Sequence, residues 1–372
     1  MKTGKFLASI LVSIAILSLL FTACSQPSPT PTPTPSPSPS PSPTATPTPT
    51  TPPPTAEVYE WRAQSVATRG SVDFISMEWA AELMKEASDG RLIIIPQGAD
   101  EIVPFGEEFD AVSGGQLEVG LGDPSFHMGI SGGVSALAAW PFAFPVRDDS
   151  VAYQELKGGR DLTNSLYEQH GVYLVKSMGT GKTDFWVTTF DVNSLADFKG
   201  KKMRTLGLYG EVLSEAVPEV SIVFLPGGEL YTGLERGLVE GCVFGPIVFA
   251  TDWGIQEVVD YLITPAFGVA NLDIMVNMDL WNDLPDDLKA IFELGMNYYE
   301  VMLNGAYADE TAARLYSMRE DHGIITKVLP AEDYKALAEA SVRVLDRYAE
   351  QDATFAQGAE IVKAFMVERG LL

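Results

Sequence analysis

The chain has few of the side chains on which most enzymes and metal sites depend. Among its 372 residues are two cysteines and three histidines, and His127, His170 and His322 lie far apart. The sequence contains no HExxH, no paired CxxC and no GxSxG, the motifs of zinc peptidases, metal or redox sites and serine hydrolases. The sequence therefore gives no support for catalysis.

A Gly-Lys-Thr run at residues 181–183 matches the end of the phosphate-loop motif GxxxxGK[ST]. The first glycine of that motif would be residue 176, which is lysine, and the run precedes a predicted strand rather than a helix. We interpret the run as a turn. Neighbouring acids such as Glu107 and Glu108 are expected among 50 Asp and Glu residues, and they are typical of a solvated helix face.

Basic residues are also scarce. The chain has 25 Lys and Arg against 50 Asp and Glu, a formal net charge of −25. A body this acidic repels phosphate backbones and anionic lipid surfaces, so nucleic acid and such surfaces are not expected partners. A small anion is not excluded, because one buried arginine can outweigh more distant surface charge.

The first 23 residues have the layout of an export signal. Lys2 and Lys5 precede an apolar run over residues 6–23 that ends in small side chains. By length this run could also remain as a membrane-spanning helix. Its position directly before Cys24 resembles the lipobox of bacterial lipoproteins, which implies cleavage after residue 23 and lipid on Cys24. Both alternatives attach the chain to a membrane outside the cytoplasm.

Residues 24–56 are predicted to be a disordered, lipid-anchored linker, because they are almost entirely Pro, Thr and Ser. Proline fixes φ and removes the amide donor, so we expect residues 26–56 to form a hydrated polyproline II chain that could extend roughly 95 Å. We assign this stalk no ligand of its own. With Cys24 lipidated, Cys242 is the remaining thiol, so we expect a buried cysteine and no disulfide.

Residues 57–372 are too many for one compact core, so two lobes are expected. Alternating strand and helix patterns predict mostly parallel sheets covered by helices on both faces. Strands are predicted at 58–66, 92–96, 117–121, 172–176, 185–189, 203–205, 221–224 and 239–244. Helices are predicted at 71–88, 105–113, 150–170, 210–216, 228–236, 331–351 and 354–369.

One predicted helix is much longer than the others. Residues 285–319 keep a helical pattern without an internal proline, over about 50 Å. Two interpretations are open: two helices broken near Asn304 and Gly305, or a single helix that crosses both lobes. The single helix is the favoured interpretation.

A series of motifs resembles the substrate-binding receptors of TRAP (tripartite ATP-independent periplasmic) transporters. Residues 193–204 form a capped Lys-Gly-Lys-Lys turn and a strand that ends at Arg204, and residues 225–237 begin Leu-Pro-Gly-Gly-Glu. The remaining motifs are Gly90-Arg91-Leu92, Val103-Pro104-Phe105, Phe-Asp-Ala-Val-Ser-Gly-Gly at 109–115, Trp140-Pro141-Phe142, residues 239–246 and Leu-Pro-Asp-Asp-Leu at 284–288. The resemblance covers nearly all of residues 57–350.

The resemblance implies an α/β, periplasmic-binding-protein-like fold. It has two α/β lobes with crossing strands and a long interlobe helix. Lobe I would comprise mainly residues 57–180 with 265–310, and lobe II mainly 181–264 with the C-terminal helices. The implied function is that of an extracytoplasmic solute receptor, which binds a small organic acid in the interlobe cleft and delivers it to the membrane permease.

In this family the strand arginine holds the ligand carboxylate, and Arg204 occupies that position. A planar guanidinium offers two parallel donors to a carboxylate, which lysine does not. The alternative is a surface arginine at a strand end. The details resemble the branch that binds 2-oxo acids, but Val243 and Phe244 stand where that branch has a metal-binding Glu followed by Trp. We therefore expect no cofactor, and a sodium or calcium ion is doubtful.

The resemblance also implies further ligand contacts. Phe244 and Trp186 would supply apolar contact, Phe126 and His127 occupy aromatic positions of the branch, and Thr183 and Asp184 occupy polar ones. The alternative for the aromatic residues is packing between the lobes. Two rival functions stay open, a structural or adhesive surface lipoprotein and, less favoured, a secreted hydrolase.

Overall fold

The computed structural model describes residues 57–131, 133–182, 185–205, 207–243 and 245–372. The predicted signal peptide, the lipidation site Cys24 and the linker lie outside the described residues. Three predicted ligand contacts, Thr183, Asp184 and Phe244, also lie outside them. These assignments stay predictions.

The strands form two sheets. In chain order they are β1 Tyr59–Ser65, β2 Leu92–Gln97, β3 Val119–Gly122, β4 Val172–Lys182, β5 Trp186–Thr188, β6 Lys202–Arg204, β7 Ser221–Val223, β8 Gly241–Val243, β9 Tyr261–Thr264, β10 Val269–Asn277 and β11 Ile325–Val328. Sheet A has the order β2-β1-β3-β10-β4, and sheet B has the order β11-β9-β5-β8-β6-β7.

Helices cover these sheets. They are α1 Val72–Ala87, α2 Glu108–Ser113, α3 Met128–Ser131, α4 Arg147–Leu156, α5 Gly159–Tyr167, α6 Gly207–Ala216, α7 Leu230–Glu235, α8 Ile247–Asp252, α9 Met278–Asp283, α10 Asp286–Glu320, α11 Ala331–Ala349 and α12 Ala353–Glu368. In the described part of the chain, no helix is both long and apolar enough to cross a bilayer. The two α/β sheets and the long α10 confirm the predicted fold class.

Helix α1 shows how local sequence sets an element. The Ser71 hydroxyl accepts a hydrogen bond from the Phe74 amide at 3.3 Å and caps the first turn. Apolar residues at helical spacing, including Phe74, Met77 and Met84, face the core. The helix ends before Asp89 and Gly90, which both have positive φ.

The prediction of one helix over residues 150–170 is wrong. The structure has two helices, α4 and α5, separated at Lys157 and Gly158. Gly158 takes a left-handed φ of +87°, and a Cβ on Gly159 would stand 2.4 Å from the Tyr153 ring. The second helix therefore begins in a new direction, with Gly159 packed on an aromatic side chain.

The prediction of mostly parallel sheets is only partly right, because both sheets are mixed. Strand β10 runs antiparallel to β3 and β4 in sheet A. Strand β5 runs antiparallel to β8 and β9 in sheet B. The antiparallel members lie next to the points where the chain crosses between the sheets.

The two crossings join corresponding edges of the sheets. Strands β3 and β4 both run antiparallel to β10, so Lys182 ends β4 at the edge where Gly122 ends β3. The chain then enters β5 at Trp186, which pairs with Val243 at the end of β8. A second short connection, residues 265–268, runs from the end of β9 to the start of β10. The carboxyl edges of the parallel strands of both sheets therefore meet at the crossings.

Helix α10 is a single helix of 35 residues, as the favoured interpretation predicts. Its first part packs on sheet A through Phe292, Met296 and Tyr299, while Met318 belongs to the hydrophobic cluster of sheet B. Near its end, Arg314 forms an ion pair with Asp252 of α8 at 3.1 Å. The helix therefore ties both lobes together.

The contact between α1 and α10 requires a glycine. A Cβ on Gly295 would stand 2.3 Å from Cγ of Met84. We expect Gly295→Val to lower the free energy of unfolding by about 1–3 kcal/mol, because the added methyl groups force the two helices apart. Urea unfolding checks this. Gly305→Ala, at a position with no atom within 4 Å, is the control and should be neutral or stabilising; equal stability of the two variants would contradict the prediction.

Candidate ligand-binding cleft

Arg204 ends β6 at the carboxyl edge of sheet B, between β7 and β8. Its residue surface is 2 % exposed. The Nε atom donates a hydrogen bond to the Leu225 carbonyl at 3.0 Å, and Nη1 lies 4.0 Å from Sγ of Cys242. The Leu225 carbonyl thus fixes the guanidinium through Nε, the nitrogen next to the aliphatic part of the side chain, and not through its two terminal nitrogens.

This setting suits a carboxylate. A guanidinium makes charge-assisted hydrogen bonds, and a carboxylate is the anionic group whose geometry matches it best. A guanidinium oriented through Nε presents its terminal nitrogens as a planar pair of donors. Burial raises the pKa of Cys242 to about 12, so the thiol beside Arg204 stays neutral and supplies no counter-charge.

Trp186 lies on the other face of sheet B from Arg204. It pairs with Val243, whereas Arg204 pairs with Cys242, the preceding residue of the same strand. Successive residues of a strand point to opposite faces. The fully buried Trp186 ring packs between Phe198 at 5.5 Å and Phe267 at 4.6 Å. This environment favours core packing over contact with a ligand held by Arg204.

Phe126 lies at the carboxyl edge of sheet A, in the turn that follows β3. Its ring is part of a half-exposed aromatic pair with Phe105, at 5.2 Å and 75°. The ring also covers Gly106, where a Cβ would stand 3.5 Å from it and φ is +87°. Gly106 thus lets the two rings pack together and leaves them accessible at this edge.

The loop that carries Phe105 is held by a buried side chain. The Gln64 amide, at the end of β1, accepts hydrogen bonds from the Ile102 and Val103 amides and donates one to the Val103 carbonyl. Gln64 is fully buried. The aromatic pair therefore stands on a fixed loop at the edge of the sheet.

His127 is in the core of lobe I. It is 1 % exposed and packs against Phe109 at 5.2 Å and Tyr167 at 6.3 Å. Burial lowers its pKa to about 4, so it is neutral at pH 7. Of the neighbouring pair predicted to face a ligand, Phe126 is at the accessible edge and His127 is behind it.

Buried carboxyl groups lie behind the same edge. Asp273 of β10 pairs with Gly122 of β3 and accepts a hydrogen bond from the Tyr167 hydroxyl at 2.8 Å. Burial raises the pKa of Asp273 to about 7 and that of Glu108 also to about 7. Both groups therefore titrate near neutral pH.

The described residues were compared with the geometry of a metal site. In the described ranges, no group of three or more His, Cys, Asp or Glu side chains could hold a metal ion. Val243, at the position where the related branch has a metal-binding Glu, contributes an apolar side chain to the core.

Two features of the site were missed by sequence reasoning. The Leu225 carbonyl, which orients Arg204, acts through the backbone and leaves no signal in the residue type. Phe105 was part of a recognised motif, but its pairing with Phe126 depends on the loop conformation. The aromatic residue directly after Pro104 was the signal in the sequence that could have indicated it.

The titration of Asp273 predicts a pH effect on stability. The pKa of Asp273 in the folded chain is raised above the ordinary value of 3.8. Its protonated carboxyl therefore adds to the free energy of unfolding below pH 4, and this stabilisation is lost as the pH rises through about 7. Asp273→Asn cannot ionise and still offers an acceptor to Tyr167. We expect the variant to gain stability relative to wild type at pH 8 but not at pH 4, measured by urea unfolding. A difference that is the same at both pH values would contradict this assignment.

The comparisons with known proteins place these features in a family. The family described as bacterial extracellular solute-binding protein, family 7 (DctP) matches residues 63–352. The monocarboxylate 2-oxoacid-binding periplasmic protein all3028 of Nostoc sp. is 28 % identical over 317 residues, which cover 82 % of this chain and 83 % of the relative.

Solved structures share the fold. A TRAP transporter solute binding protein from Bordetella bronchiseptica, with calcium and picolinate, matches with a TM-score of 0.76 at 22 % identity, covering 84 % of this chain and 93 % of that one. A TRAP periplasmic solute binding protein from Colwellia psychrerythraea, with calcium and pyruvate, matches with a TM-score of 0.75 at 23 % identity, covering 84 % and 95 %. With the family match over most of its length, this chain belongs to bacterial extracellular solute-binding protein family 7.

Proposed function

We propose that this protein is the extracytoplasmic receptor of a TRAP-type transporter, which binds a small organic acid between its two lobes and delivers it to the membrane permease. The observation that carries the proposal is Arg204, buried at the carboxyl edge of sheet B with its Nε held by the Leu225 carbonyl. In open α/β sheets, ligands bind outside the carboxyl ends of the strands. Arg204 is in that position and has the chemistry for a carboxylate.

We infer that the ligand is a monocarboxylate with an apolar body. The Nostoc relative is named for monocarboxylate 2-oxoacids, and the Colwellia structure contains pyruvate. In this chain, the half-exposed Phe105 and Phe126 rings offer an apolar surface at the edge that meets the edge of Arg204. The apolar Val243 argues against the ion that accompanies pyruvate in the Colwellia protein.

Binding proceeds by closure of the lobes. Residues 57–180 with 265–310 form lobe I, and residues 181–264 with the C-terminal helices form lobe II. A ligand that contacts both lobes shifts the population toward the closed form. Closure excludes water, which lowers the local dielectric and strengthens the ion pair with Arg204.

The N-terminal segments of the chain would determine where in the cell envelope the receptor is held. Lipid on Cys24 would anchor the receptor on the outer side of a membrane, and the Pro/Thr/Ser-rich linker would give it reach to the permease. The family is one of solute-binding proteins, and we propose no enzymatic activity. A structural or adhesive lipoprotein is the rival, and it requires neither the cleft nor Arg204.

Thermal-shift screening over organic acids tests the receptor. A ligand that binds only the folded chain raises its melting temperature. We expect 2-oxo monocarboxylates to raise it in wild type, with no response to the matching alcohols, which lack the carboxylate. A flat response across all organic acids would favour the structural lipoprotein.

The assignment of Arg204 is tested by Arg204→Ala. We expect it to weaken binding of the best acid from the screen by about 2–5 kcal/mol, because a buried carboxylate loses its charged partner. Isothermal calorimetry measures this. Arg343→Ala is the matched control, since Arg343 is a half-exposed arginine of α11 that pairs with Glu215. Unchanged affinity in a folded Arg204→Ala variant would remove the assignment.

The aromatic pair is tested by ligand length. We expect Phe126→Ala to weaken binding of 4-methyl-2-oxopentanoate by about 1 kcal/mol more than binding of pyruvate, because only the longer acid reaches the rings. Val328→Ala, an exposed apolar residue of edge strand β11, is the control. Equal losses for both acids would argue against contact with the apolar body.

A further inference from the structure

Two acidic residues lie next to each other at the carboxyl edge of sheet A. Asp123 follows the last residue of β3, and Asp273 of β10 pairs with that last residue, Gly122. Asp273 is 1 % exposed, whereas Asp123 is partly exposed. We call Asp123 and Asp273 the carboxyl pair. Its buried member lies directly behind a member that reaches the accessible edge.

The carboxyl pair is built into the turn that carries Phe126. The Asp123 carboxylate accepts a hydrogen bond from the Ser125 amide at 2.8 Å, and the Phe126 amide donates one to the Asp123 carbonyl at 3.1 Å. Phe126 is one of the two rings that we assign to the apolar body of the ligand. The outer carboxyl therefore belongs to the same short turn as a proposed ligand contact.

The titratable side chains around the carboxyl pair are neutral. The Tyr167 hydroxyl donates a hydrogen bond to Asp273 at 2.8 Å, and Nε2 of His127 would stand 3.0 Å from a Cβ on Gly122. Burial raises the pKa of Tyr167 and lowers that of His127 to about 4, so neither is charged at pH 7. Among the described residues, the charge that acts on Asp273 is that of Asp123.

The neighbouring elements bring no positive charge to the carboxyl pair. Lys176 of β4 points to the other face of sheet A, where it forms an ion pair with Glu300 of α10 at 2.6 Å. Glu108 of α2 packs on β3, since a Cβ on Gly120 would stand 3.2 Å from the Cβ of Glu108. Its carboxylate accepts a hydrogen bond from the Gly106 amide at 3.0 Å. Glu108 is thus a third acid behind the same edge.

Burial and like charge both oppose ionisation of the carboxyl pair. Burial raises the pKa of Asp273 to about 7, and the charge of Asp123 acts in the same direction. Burial also raises the pKa of Asp123. The pair therefore carries a proton in part of the molecules at neutral pH, and a further negative charge at this edge would increase that part.

We propose that the carboxyl pair takes up a proton when the cleft binds a carboxylate. The proposal rests on the proposed receptor function and adds a regulation of the same site. The bound carboxylate brings a negative charge to the edge that carries Asp123, which makes the protonated form of the pair more favourable. The proton comes from the solvent, which reaches Asp123 at the edge.

The linkage between proton and ligand fixes the direction of the pH effect. Because binding takes up a proton, the affinity for the acid falls as the pH rises through about 7 and levels off once the pair is ionised in both states. Two charges about 10 Å apart, at an effective dielectric constant of about 20, shift a pKa by about one unit. A shift of that size corresponds to a roughly tenfold loss of affinity.

Isothermal calorimetry with 4-methyl-2-oxopentanoate measures the proton. This acid is ionised from pH 6 to pH 8.5, so it contributes no proton of its own. Titrations at pH 7.5 in phosphate and in Tris, which have small and large ionisation enthalpies, give the proton number from the difference in binding enthalpy. We expect wild type to take up about half a proton per bound acid, and its affinity to be roughly five- to tenfold lower at pH 8.5 than at pH 6.

A double variant tests whether the carboxyl pair is the proton acceptor. Asp123→Asn with Asp273→Asn should take up less than about 0.1 proton and bind equally well at pH 6 and pH 8.5, since an amide does not bind the proton. Each asparagine still offers an acceptor, to the Ser125 amide and the Tyr167 hydroxyl. Asp191→Asn, at a half-exposed acid of lobe II, is the matched control and should behave as wild type.

Glu108→Gln separates the carboxyl pair from the third acid behind this edge. Uptake that persists in Glu108→Gln and in Asp191→Asn, and disappears in the double variant, supports the proposal. Any other pattern among the variants, or wild-type binding without proton uptake, overturns it and leaves the receptor function in place. If wild type binds none of the acids in the thermal-shift screen, the receptor function fails, and this inference fails with it.

Discussion

The structure depends on one constraint: a guanidinium held inside the protein at the end of a strand. Arg204 is buried, and its Nε is fixed by the Leu225 carbonyl from the turn after the neighbouring strand. A buried guanidinium fixed in this way is a charge-assisted hydrogen-bond donor, and in the proposed receptor it would hold the ligand carboxylate. The acidic surface of the chain does not oppose this, since it is screened by water and salt while the site is not.

The crossing strands place the edge of sheet A next to the edge of sheet B that carries Arg204. They bring the carboxyl edge of sheet A, with the Phe105 and Phe126 rings, to the edge of sheet B where Arg204 lies. Helix α10 connects both lobes, through the hydrogen bond of Tyr307 to Asp73 and the ion pair of Arg314 with Asp252. In the proposed receptor, a short ligand would contact a charged group of one lobe and an apolar surface of the other, and this would link binding to closure.

Much of the fold followed from pattern. Helical spacing in α1, a capping serine at position 71 and a proline-free run over α10 are local signals, and they hold because local geometry is set by local sequence. The break at Gly158 was missed although the Gly158-Gly159 pair is a local stop signal; Gly158 takes a left-handed φ of +87°, and Gly159 packs on Tyr153. The direction of β5 and β10 was also missed, since strand direction depends on where the chain crosses rather than on residue type.

The sequence by itself determined the acidic character of the chain, the family and the strand on which Arg204 lies, and it predicts the export signal and the tether. Those properties reside in composition and in short motifs. Only the tertiary structure decided that Trp186 lies on the other face of sheet B from Arg204, that His127 is in the core behind Phe126, and that Phe105 stands beside Phe126. These outcomes depend on strand register and loop conformation, which join residues far apart in sequence.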